Sequence, residues 1–406
     1  MKSGRSQTVV VVLALAALLA AGLWLRVASV NLPGHYGDSV VMPRWAENMA
    51  RYGPWGFYQH DGAIYPALLY AYWPLGVLFD GADLARAIKG VSIPFDLAIG
   101  LVSYFVARRF VGPVRALIAP ALYLLNPAVI LSGPVWGQVD AAGTLAYLLA
   151  LVAIAGRRFF AAGALAAVAL LMKPQFGLVI LPVATVAVLL WWARRDWRLL
   201  ATTLIGGILA FLAVTLPLAL NPISYFGKVV EAGGYQESTT ANAANIWALF
   251  GDYDQPDGRL VYAGAVLLLL GLVASLLPLR RRTDLHTILA VGLFVAFAFY
   301  FLPTRVHERY LFPAMAVLAP LATANWRVFG GYLFLTAGFT ASMLFALIDE
   351  TPFSLGPAMD QFITQPTGRI WISLAMIATA ATLVLLLLRP DIRAGPMVEG
   401  DQATPP

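Results

Sequence analysis

The sequence predicts an all-α integral membrane protein, a polytopic bundle of about 12 transmembrane helices. Of its 406 residues, 60% are apolar and only 12% are charged, and the mean hydropathy is +0.77. Soluble domains carry roughly 25% charged residues, so lipid rather than water surrounds most of this chain. Basic residues recur in compact clusters between apolar stretches of about 20 residues, the length that crosses a bilayer. These three observations together predict the fold class.

The apolar stretches can be assigned to spans one after another. The predicted spans are 8–29, 87–107, 114–131, 140–156, 159–172, 176–193, 199–219, 260–279, 285–302, 309–324, 328–348 and 368–388. Arginine clusters such as Arg157-Arg158 and Arg280-Arg281-Arg282 follow alternate spans. Because basic loops stay in the cytoplasm, these clusters and both chain termini are predicted to lie on the cytoplasmic side of the plasma membrane.

The spans are predicted to form one domain over residues 1–390, followed by a disordered cytoplasmic tail over 391–406. The tail is rich in proline, glycine and charge, a composition typical of disorder. The first span follows Lys2 and Arg5 and could pass for a signal peptide. It is long, no clear cleavage site follows it and further spans come after it, so we expect a retained helix.

Two long loops, 31–84 and 220–259, are predicted on the outer face. In the first loop, Val40–Tyr52 has the pattern of an amphipathic helix that lies on the membrane surface. Tyr65–Phe79 is apolar, but its 15 residues include two prolines. Counting it as a full span would move every later arginine cluster to the outside. We therefore predict an interfacial or re-entrant helix there.

Composition also excludes several kinds of chemistry. The chain has no cysteine, so neither disulfides nor thiol chemistry are available. The net charge of +6 is explained by arginines that set topology, and no nucleic acid partner is predicted. No complete set of metal ligands is visible in the sequence, and we predict neither a metal nor another cofactor.

Polar residues at the outer ends of the spans predict a functional site. Threading the chain back and forth brings Asp38, Gly137–Asp140, Lys173–Gln175 and Arg305–Tyr310 to the outer face, opposite the arginine clusters. Polar groups in lipid are costly and mark functional sites. Their convergence on one face therefore suggests a site for a charged substrate.

Two of the acidic residues have a structural alternative. Asp38 either caps the surface helix that follows it or acts as a general base. Asp140 either favours the first turn of its helix or joins Trp136 and Gln138 in a sugar-binding surface. His60 and Asp61, at the end of an aromatic-rich stretch of the first loop, are either ligands or ordinary solvated residues.

The basic residues point to an anion. Lys173 lies between two apolar helices, where it either snorkels to the interface or pairs with Asp140 or a substrate phosphate. Arg305 and Arg309 flank His307 and Glu308, and guanidinium groups match phosphate oxygens. This group is therefore either a phosphate clamp or an internal salt bridge between Glu308 and one arginine.

Four short motifs carry a resemblance to a known family. Trp136–Asp140, Lys173–Gln175, Ala241–Leu249 and His307–Pro313 resemble motifs in bacterial relatives of the Gpi18/PIG-V mannosyltransferases. These enzymes belong to the GT-C superfamily of polytopic membrane glycosyltransferases. The sequence departs from the family in two places. It has Tyr65-Pro66-Ala67-Leu68 for Tyr-Pro-Pro-Leu, and Gly37-Asp38 for the double acid of many GT-C enzymes, so one catalytic carboxylate is expected.

The resemblance implies an enzyme that transfers a monosaccharide, mannose above all, from a polyprenyl-phosphate donor to a glycolipid or glycan acceptor of the cell envelope. It implies an extracytoplasmic site with Asp38 as the base, and inversion of the anomeric carbon. The residues expected to bind the donor phosphate are Arg305, His307, Arg309 and Lys173. The residues expected to line the sugar and the acceptor are Trp136, Gln138, Asp140, Gln175, Asn245, His60, Asp61 and Glu308.

Two other functions fit the same polar groups. A transporter of anionic or lipid-linked sugars would use many helices and basic residues, but its polar groups would lie at mid-membrane on broken helices. A polymerase or ligase of lipid-linked oligosaccharides would share the large outer loops. Transfer from a monosaccharide lipid rather than an oligosaccharide lipid separates the polymerase from the transferase.

Overall fold

The computed structural model describes residues 2–234, 237–250, 255–348, 351 and 353–389. Within these ranges the chain is helical, without a β-strand, as the composition predicts. The helices are α1 Lys2–Ser29, α2 Tyr36–His60, α3 Pro66–Leu78, α4 Gly81–Gly90, α5 Ser92–Ala107, α6 Pro113–Ala116, α7 Ile118–Leu124, α8 Pro127–Ile130, α9 Asp140–Ala155, α10 Phe159–Met172, α11 Ile180–Arg194, α12 Trp197–Thr215, α13 Pro222–Gly234, α14 Leu260–Leu276, α15 Leu285–Phe301, α16 Phe312–Ala322, α17 Trp326–Ile348, α18 Pro357–Thr364 and α19 Pro366–Leu388. The predicted tail over 391–406 lies outside the described residues.

Tighter and wider turns join these helices. The 3₁₀ turns are Pro174–Val179, Leu216–Leu218, Ile246–Leu249, Leu277–Arg280 and Glu308–Leu311, and Leu131–Val135 forms a π turn.

Seven segments in the described part of the chain are long and apolar enough to cross a membrane. They are Ser6–Ser29, Gly81–Ala107, Pro174–Arg194, Trp197–Leu218, Leu260–Arg280, Trp326–Ile348 and Pro366–Leu388. They match seven of the predicted spans, and the bent pair Pro113–Leu124 and Pro127–Val135 would make an eighth crossing. The predicted number of about 12 requires the four shorter helices α9, α10, α15 and α16 to cross as well.

The shorter helices lie in the middle of the bundle. Almost every residue of α15 and every residue of α16 is buried, and α9 exposes little. By contrast, only 11% of the most apolar stretch of Ser6–Ser29 is buried, so α1 presents its apolar side chains outward. Apolar residues thus cover all sides of the central helices and the outer side of the peripheral ones, which explains why periodicity in the sequence is weak.

The predicted loop 31–84 is largely helical. The expected surface helix Val40–Tyr52 is part of α2, which starts at Tyr36 and ends at His60 with a break at Gly53, whose φ is +67°. The predicted helix at Tyr65–Phe79 is α3, whose 13 residues are short for a crossing. A Cβ on Gly76 would lie 2.1 Å from the carbonyl oxygen of Ala46, so α2 and α3 are in direct backbone contact.

The predicted straight span 114–131 is broken. Its two parts, Pro113–Leu124 and Pro127–Val135, meet at 45°. Asn126 causes the break together with Pro127, because its side-chain Oδ1 accepts hydrogen bonds from the backbone amides of Ala128 and Val129. The second part ends in the π turn, and Trp136 follows directly after that turn. The break therefore lies in the segment that leads to Trp136, Gln138 and Asp140 of the predicted site.

Candidate functional site

Asp38 lies in the first turn of α2, and its carboxylate contacts two side chains of the segment between α8 and α9. Its Oδ2 accepts hydrogen bonds from Trp136 Nε1, at 2.7 Å, and from Gln138 Nε2. The cap position of α2 is His35, and no side chain caps that helix end. Asp38 therefore contacts the turn between α8 and α9 instead of capping its own helix.

Lys173 approaches the same turn from the end of α10. Its ammonium is 1% exposed and donates to Gln138 Oε1 and Asp140 Oδ1, both at 2.6 Å. It also lies 5.3 Å from the ring centroid of Tyr65. Asp140, one of the two anions considered for Lys173, is its partner here, and the side chain does not snorkel. A buried ion pair of this kind is stable only with such additional hydrogen bonds.

Arg309 supplies a second positive charge. Its Nη1 donates to Glu308 Oε1 at 2.9 Å, which is the internal salt bridge that the sequence left open. Its guanidinium lies 5.2 Å from the ring centroid of Trp136, and the ring of His35 stacks on Trp136 at 4.6 Å. Arg309 Nε and Glu308 Oε2 are buried and have no hydrogen-bond partner in the described part of the chain. The guanidinium thus keeps a donor available beside the group formed by Asp38, Trp136, Gln138 and Lys173 (the Asp38 cluster).

The charges around Asp38 control its ionisation. Burial acts to raise the pKa of Asp38, but the positive charge of Arg309, the hydrogen bond from Trp136 and the charge of Lys173 outweigh burial and lower the pKa below its usual value. For His307, burial lowers the pKa well below its usual value, and the nearby Arg309 and Lys173 add to this effect. At neutral pH the site therefore holds an ionised Asp38 and a neutral His307.

Arg305 lies in a different set of contacts. Its Nε and Nη2 donate to the two carboxylate oxygens of Asp257, at 2.7 and 3.1 Å, and its Nη1 donates to the carbonyl of Gly233 at 3.0 Å. Asp257, which the sequence did not single out, occupies the face of the guanidinium that would bind a phosphate. Arg305 therefore joins the long loop 220–259 to the segment that carries His307 and Arg309.

Three other predicted residues are also tied into loops. Asn245 caps the turn Ile246–Leu249, with Oδ1 accepting from the amides of Trp247 and Ala248. His60 stacks on Tyr52 with centroids 3.8 Å apart, and Asp61 accepts hydrogen bonds from Arg44 and Asn48. None of these contacts involves the Asp38 cluster.

Gln175 follows Lys173 directly in the chain. Its Nε2 is buried without a hydrogen-bond partner among the described residues. An unsatisfied buried amide costs free energy, so this donor is suited to a ligand atom.

Sequence reasoning missed Lys89, on α4. Its Nζ donates to the carbonyl of Leu32 at 2.7 Å, and no described carboxylate pairs with it. A Cβ on Gly34 would lie 3.0 Å from this Nζ, and a Cβ on Gly137, whose φ is +95°, would lie 3.3 Å from Lys89 Cγ. Lys89 thus adds a third cation beside the Trp136 turn. The only sign of this contact in the sequence is the pair Gly34 and Gly137, whose missing side chains leave room for Lys89.

Comparisons with known proteins place the fold. The sequence profile described as glycosyltransferase family 87 matches residues 66–303, more than half of the chain, although Asp38 and Arg309 lie outside that range. The structure is similar to the crystal structure of ArnT from Cupriavidus metallidurans bound to undecaprenyl phosphate, with 18% identity, a TM-score of 0.50 and coverage of 95% of this chain and 73% of that one.

The apo structure of the same ArnT aligns with 16% identity over 91% of this chain and 76% of that one, at a TM-score of 0.46. No curated protein matches the sequence. The likeness to the first ArnT structure shows a GT-C fold for this chain, and the apolar helices of its described part make it a multi-pass membrane protein.

Proposed function

Because the chain belongs to glycosyltransferase family 87, we propose that it moves one sugar from a polyprenyl-phosphate donor to an acceptor hydroxyl. The resemblance to the Gpi18/PIG-V enzymes favours mannose as the sugar and a glycolipid or glycan of the cell envelope as the acceptor. The ArnT of similar fold binds undecaprenyl phosphate, which supports a lipid of the same chemical class here. The arginine clusters favour an extracytoplasmic site.

One observation carries the proposal: the ionised carboxylate of Asp38 lies beside two buried cations, Lys173 and Arg309, that are paired with other carboxylates. Both side-chain hydrogen bonds to Asp38 reach Oδ2, which leaves Oδ1 to accept the proton of an acceptor hydroxyl. The lowered pKa of Asp38 keeps it in the form that a base requires. Asp38 would thus act as the base in a direct displacement.

The cations would act on the donor. Arg309 and Lys173 lie on the Trp136 and Gln138 side of Asp38 and can offset the negative charge of the departing phosphate. His307, neutral at working pH, can donate a hydrogen bond to the same oxygens. Since polyprenyl phosphate leaves with its charge already formed, the reaction needs no separate acid. Attack opposite the phosphate inverts the anomeric carbon.

The other predicted residues divide into two groups. Trp136, Gln138 and Asp140 bond to the carboxylate of Asp38 or to Lys173, and Gln175 has a buried amide donor close to Lys173 in the chain. We assign these four residues to the sugar and acceptor side. Arg305 and Asn245 are engaged in loop contacts, so we assign them the indirect role of holding the outer segments. The same role fits His60 and Asp61 at the far end of α2.

The proposal can be tested with purified protein in nanodiscs. Wild type and Asp38→Asn would be given synthetic polyprenyl-phosphate mannose with a mixture of glycolipid acceptors, and release of polyprenyl phosphate would be followed. Glu47→Gln is a matched control, because Glu47 is an exposed acid on the same helix. We expect release by wild type and Glu47→Gln only. Equal release by Asp38→Asn would remove Asp38 as the base.

The sugar is tested in the same assay. Donors that carry other hexoses or a pentose on the same lipid would be compared with the mannose donor. Release from another donor alone would replace mannose but keep the mechanism. Release from no monosaccharide donor, together with transfer from an oligosaccharide lipid, would favour the polymerase or ligase over the proposed transferase.

A further inference from the structure

An ion pair that the proposed reaction does not use is buried among α1, α5 and α7. Arg26 Nε and Asp96 Oδ2 are 2.8 Å apart, and both side chains are 0% exposed. Tyr123 donates its hydroxyl proton to Asp96 Oδ1 at 2.7 Å. A pair of charges within the membrane is expensive compared with apolar side chains. Its presence here needs a reason other than stability.

The pair contacts the break in the span 113–135. Asn126 Oδ1 accepts hydrogen bonds from the backbone amides of Ala128 and Val129. The carbonyl of Leu124 therefore loses the amide of Ala128, its usual donor in an α-helix. Arg26 Nη1 donates to that carbonyl at 2.8 Å. Irregular backbone at membrane depth is tolerated only where protein groups satisfy it. Arg26 therefore holds the break in place.

Asp96 contacts the π turn that follows the break. A Cβ on Gly133, in the middle of this turn, would lie 3.5 Å from Asp96 Oδ2 and 2.9 Å from Ser92 Oγ. The bare Cα of Gly133 thus lets α5 and its carboxylate approach the turn closely. Isolated π turns within helices are often found at functional sites.

The π turn fixes the backbone of Trp136 and Gln138, the two residues that donate hydrogen bonds to Asp38. The carbonyls of Leu131 and Ser132 accept hydrogen bonds from the amides of Trp136, at 2.9 Å, and Gln138, at 3.0 Å, and the carbonyl of Gly133 accepts from Gly137 at 2.7 Å. Any movement of the turn would displace both side chains. A continuous chain of contacts thus runs from the buried ion pair to the Asp38 carboxylate.

We propose that Arg26 and Asp96 are positioning residues, which hold the broken span so that Trp136 and Gln138 meet the Asp38 carboxylate. The pair contacts no substrate atom in this arrangement. It acts on the rate of transfer only through the two side chains above the π turn. The inference about rate rests on the proposed function, whereas the inference about the position of Trp136 does not.

The first experiment measures position without requiring activity. The protein has eleven tryptophans, and in protein labelled with 5-fluorotryptophan the fluorine resonance of Trp136 is identified as the one missing from Trp136→Phe. Replacing both charges, Arg26→Met with Asp96→Leu, leaves no unpaired buried charge. We expect the Trp136 resonance to shift or broaden while distant tryptophans keep theirs. An unchanged Trp136 resonance would overturn the proposal.

A second variant covers the case in which the double replacement does not fold. Gly133→Ala keeps both charges but places a methyl group against Ser92 and Asp96, and it should move the same resonance. Tyr147→Phe is the control, since it removes a buried hydrogen bond of 2.7 Å to the carbonyl of Gly292 away from the break. The control should leave the Trp136 resonance where it is in wild type.

The second experiment measures coupling to the reaction. In wild type, the double replacement should lower kcat by about tenfold, and in a Trp136→Phe, Gln138→Ala background it should cause little further loss. A loss of equal size in both backgrounds would mean a general structural effect and would overturn the proposal. If wild type itself transfers no sugar, the proposed function fails, and the fluorine spectra still decide the positioning role.

Discussion

Asp38 and Lys173 are joined through one amide, that of Gln138. Its Nε2 donates to Asp38 Oδ2, and its Oε1 accepts from Lys173 Nζ at 2.6 Å. The orientation of this amide is fixed by a carboxylate at one end and an ammonium at the other, because the reverse orientation would place donor against donor and acceptor against acceptor. A neutral side chain thus separates the base from the buried cation, which prevents a direct salt bridge that would block Asp38.

Gln138→Glu should be more damaging than its small change in size suggests. The new carboxylate can still accept from Lys173, but it no longer donates to Asp38 and adds a like charge beside it. We expect the rate at neutral pH to fall about 100-fold. Initial rates of polyprenyl phosphate release measure this, with Gln361→Glu, an exposed change on α18, as control. Equal rates for the two variants would show that the amide bridge is dispensable.

The pH profile of kcat/KM should report the state of Asp38. Its pKa lies below the usual value of 3.8, so the base stays ionised, and activity is kept, as the pH falls through the mildly acidic range. Protonation should remove activity only when the pH approaches the lowered pKa. Trp136→Phe keeps an aromatic ring but removes the indole donor, so the pKa should rise and the acidic limb should move to higher pH. An identical acidic limb in this variant would assign the limb to another group.

Lys173 and Asp140 should depend on each other for stability. Asp140→Asn leaves the ammonium of Lys173, which is 1% exposed, without its anion, and breaking one side of a buried pair costs about 3 kcal/mol or more. Lys173→Met alone should cost a similar amount. The combined variant should lose less than the sum, since no unpaired charge remains. Thermal unfolding in detergent gives the three values, and strictly additive losses would contradict a direct pairing.

Sequence reasoning recovered the helices well because the bilayer limits both their length and their composition. The predicted spans 199–219 and 328–348 correspond to Trp197–Leu218 and Trp326–Ile348. The apolar run fixes where each helix can lie, and the flanking arginines fix where it ends. The break after Leu124 escaped this reasoning, because the apolar stretch 114–131 continues on both sides of Asn126 and Pro127, and length and composition alone do not reveal a bend within it.

The candidate site was predicted in part. Asp38, Gln138, Asp140, Lys173 and Arg309 do lie together, because polar side chains at the ends of neighbouring apolar helices are costly to expose to lipid and pair with one another instead. Partners that are distant in sequence could not be predicted. Arg26 and Asp96 are 70 residues apart and Arg305 and Asp257 are 48 apart, and nothing in either local sequence indicates the other. Only the three-dimensional arrangement assigns Arg305 to a loop contact.

Arg305 and Arg309 should therefore differ in their effect on the donor. Arg309→Ala removes a cation beside Trp136 and should weaken binding of polyprenyl phosphate roughly tenfold or more, the size expected for hydrogen bonds to a charged group. Arg305→Ala only releases the segment that Asp257 anchors, so it should weaken binding less, and Asp257→Ala should have the same effect as Arg305→Ala. Titration of each variant in nanodiscs with labelled polyprenyl phosphate measures this. If Arg305→Ala weakens binding as much as Arg309→Ala while Asp257→Ala does not, Arg305 contacts the phosphate directly, as the sequence first suggested.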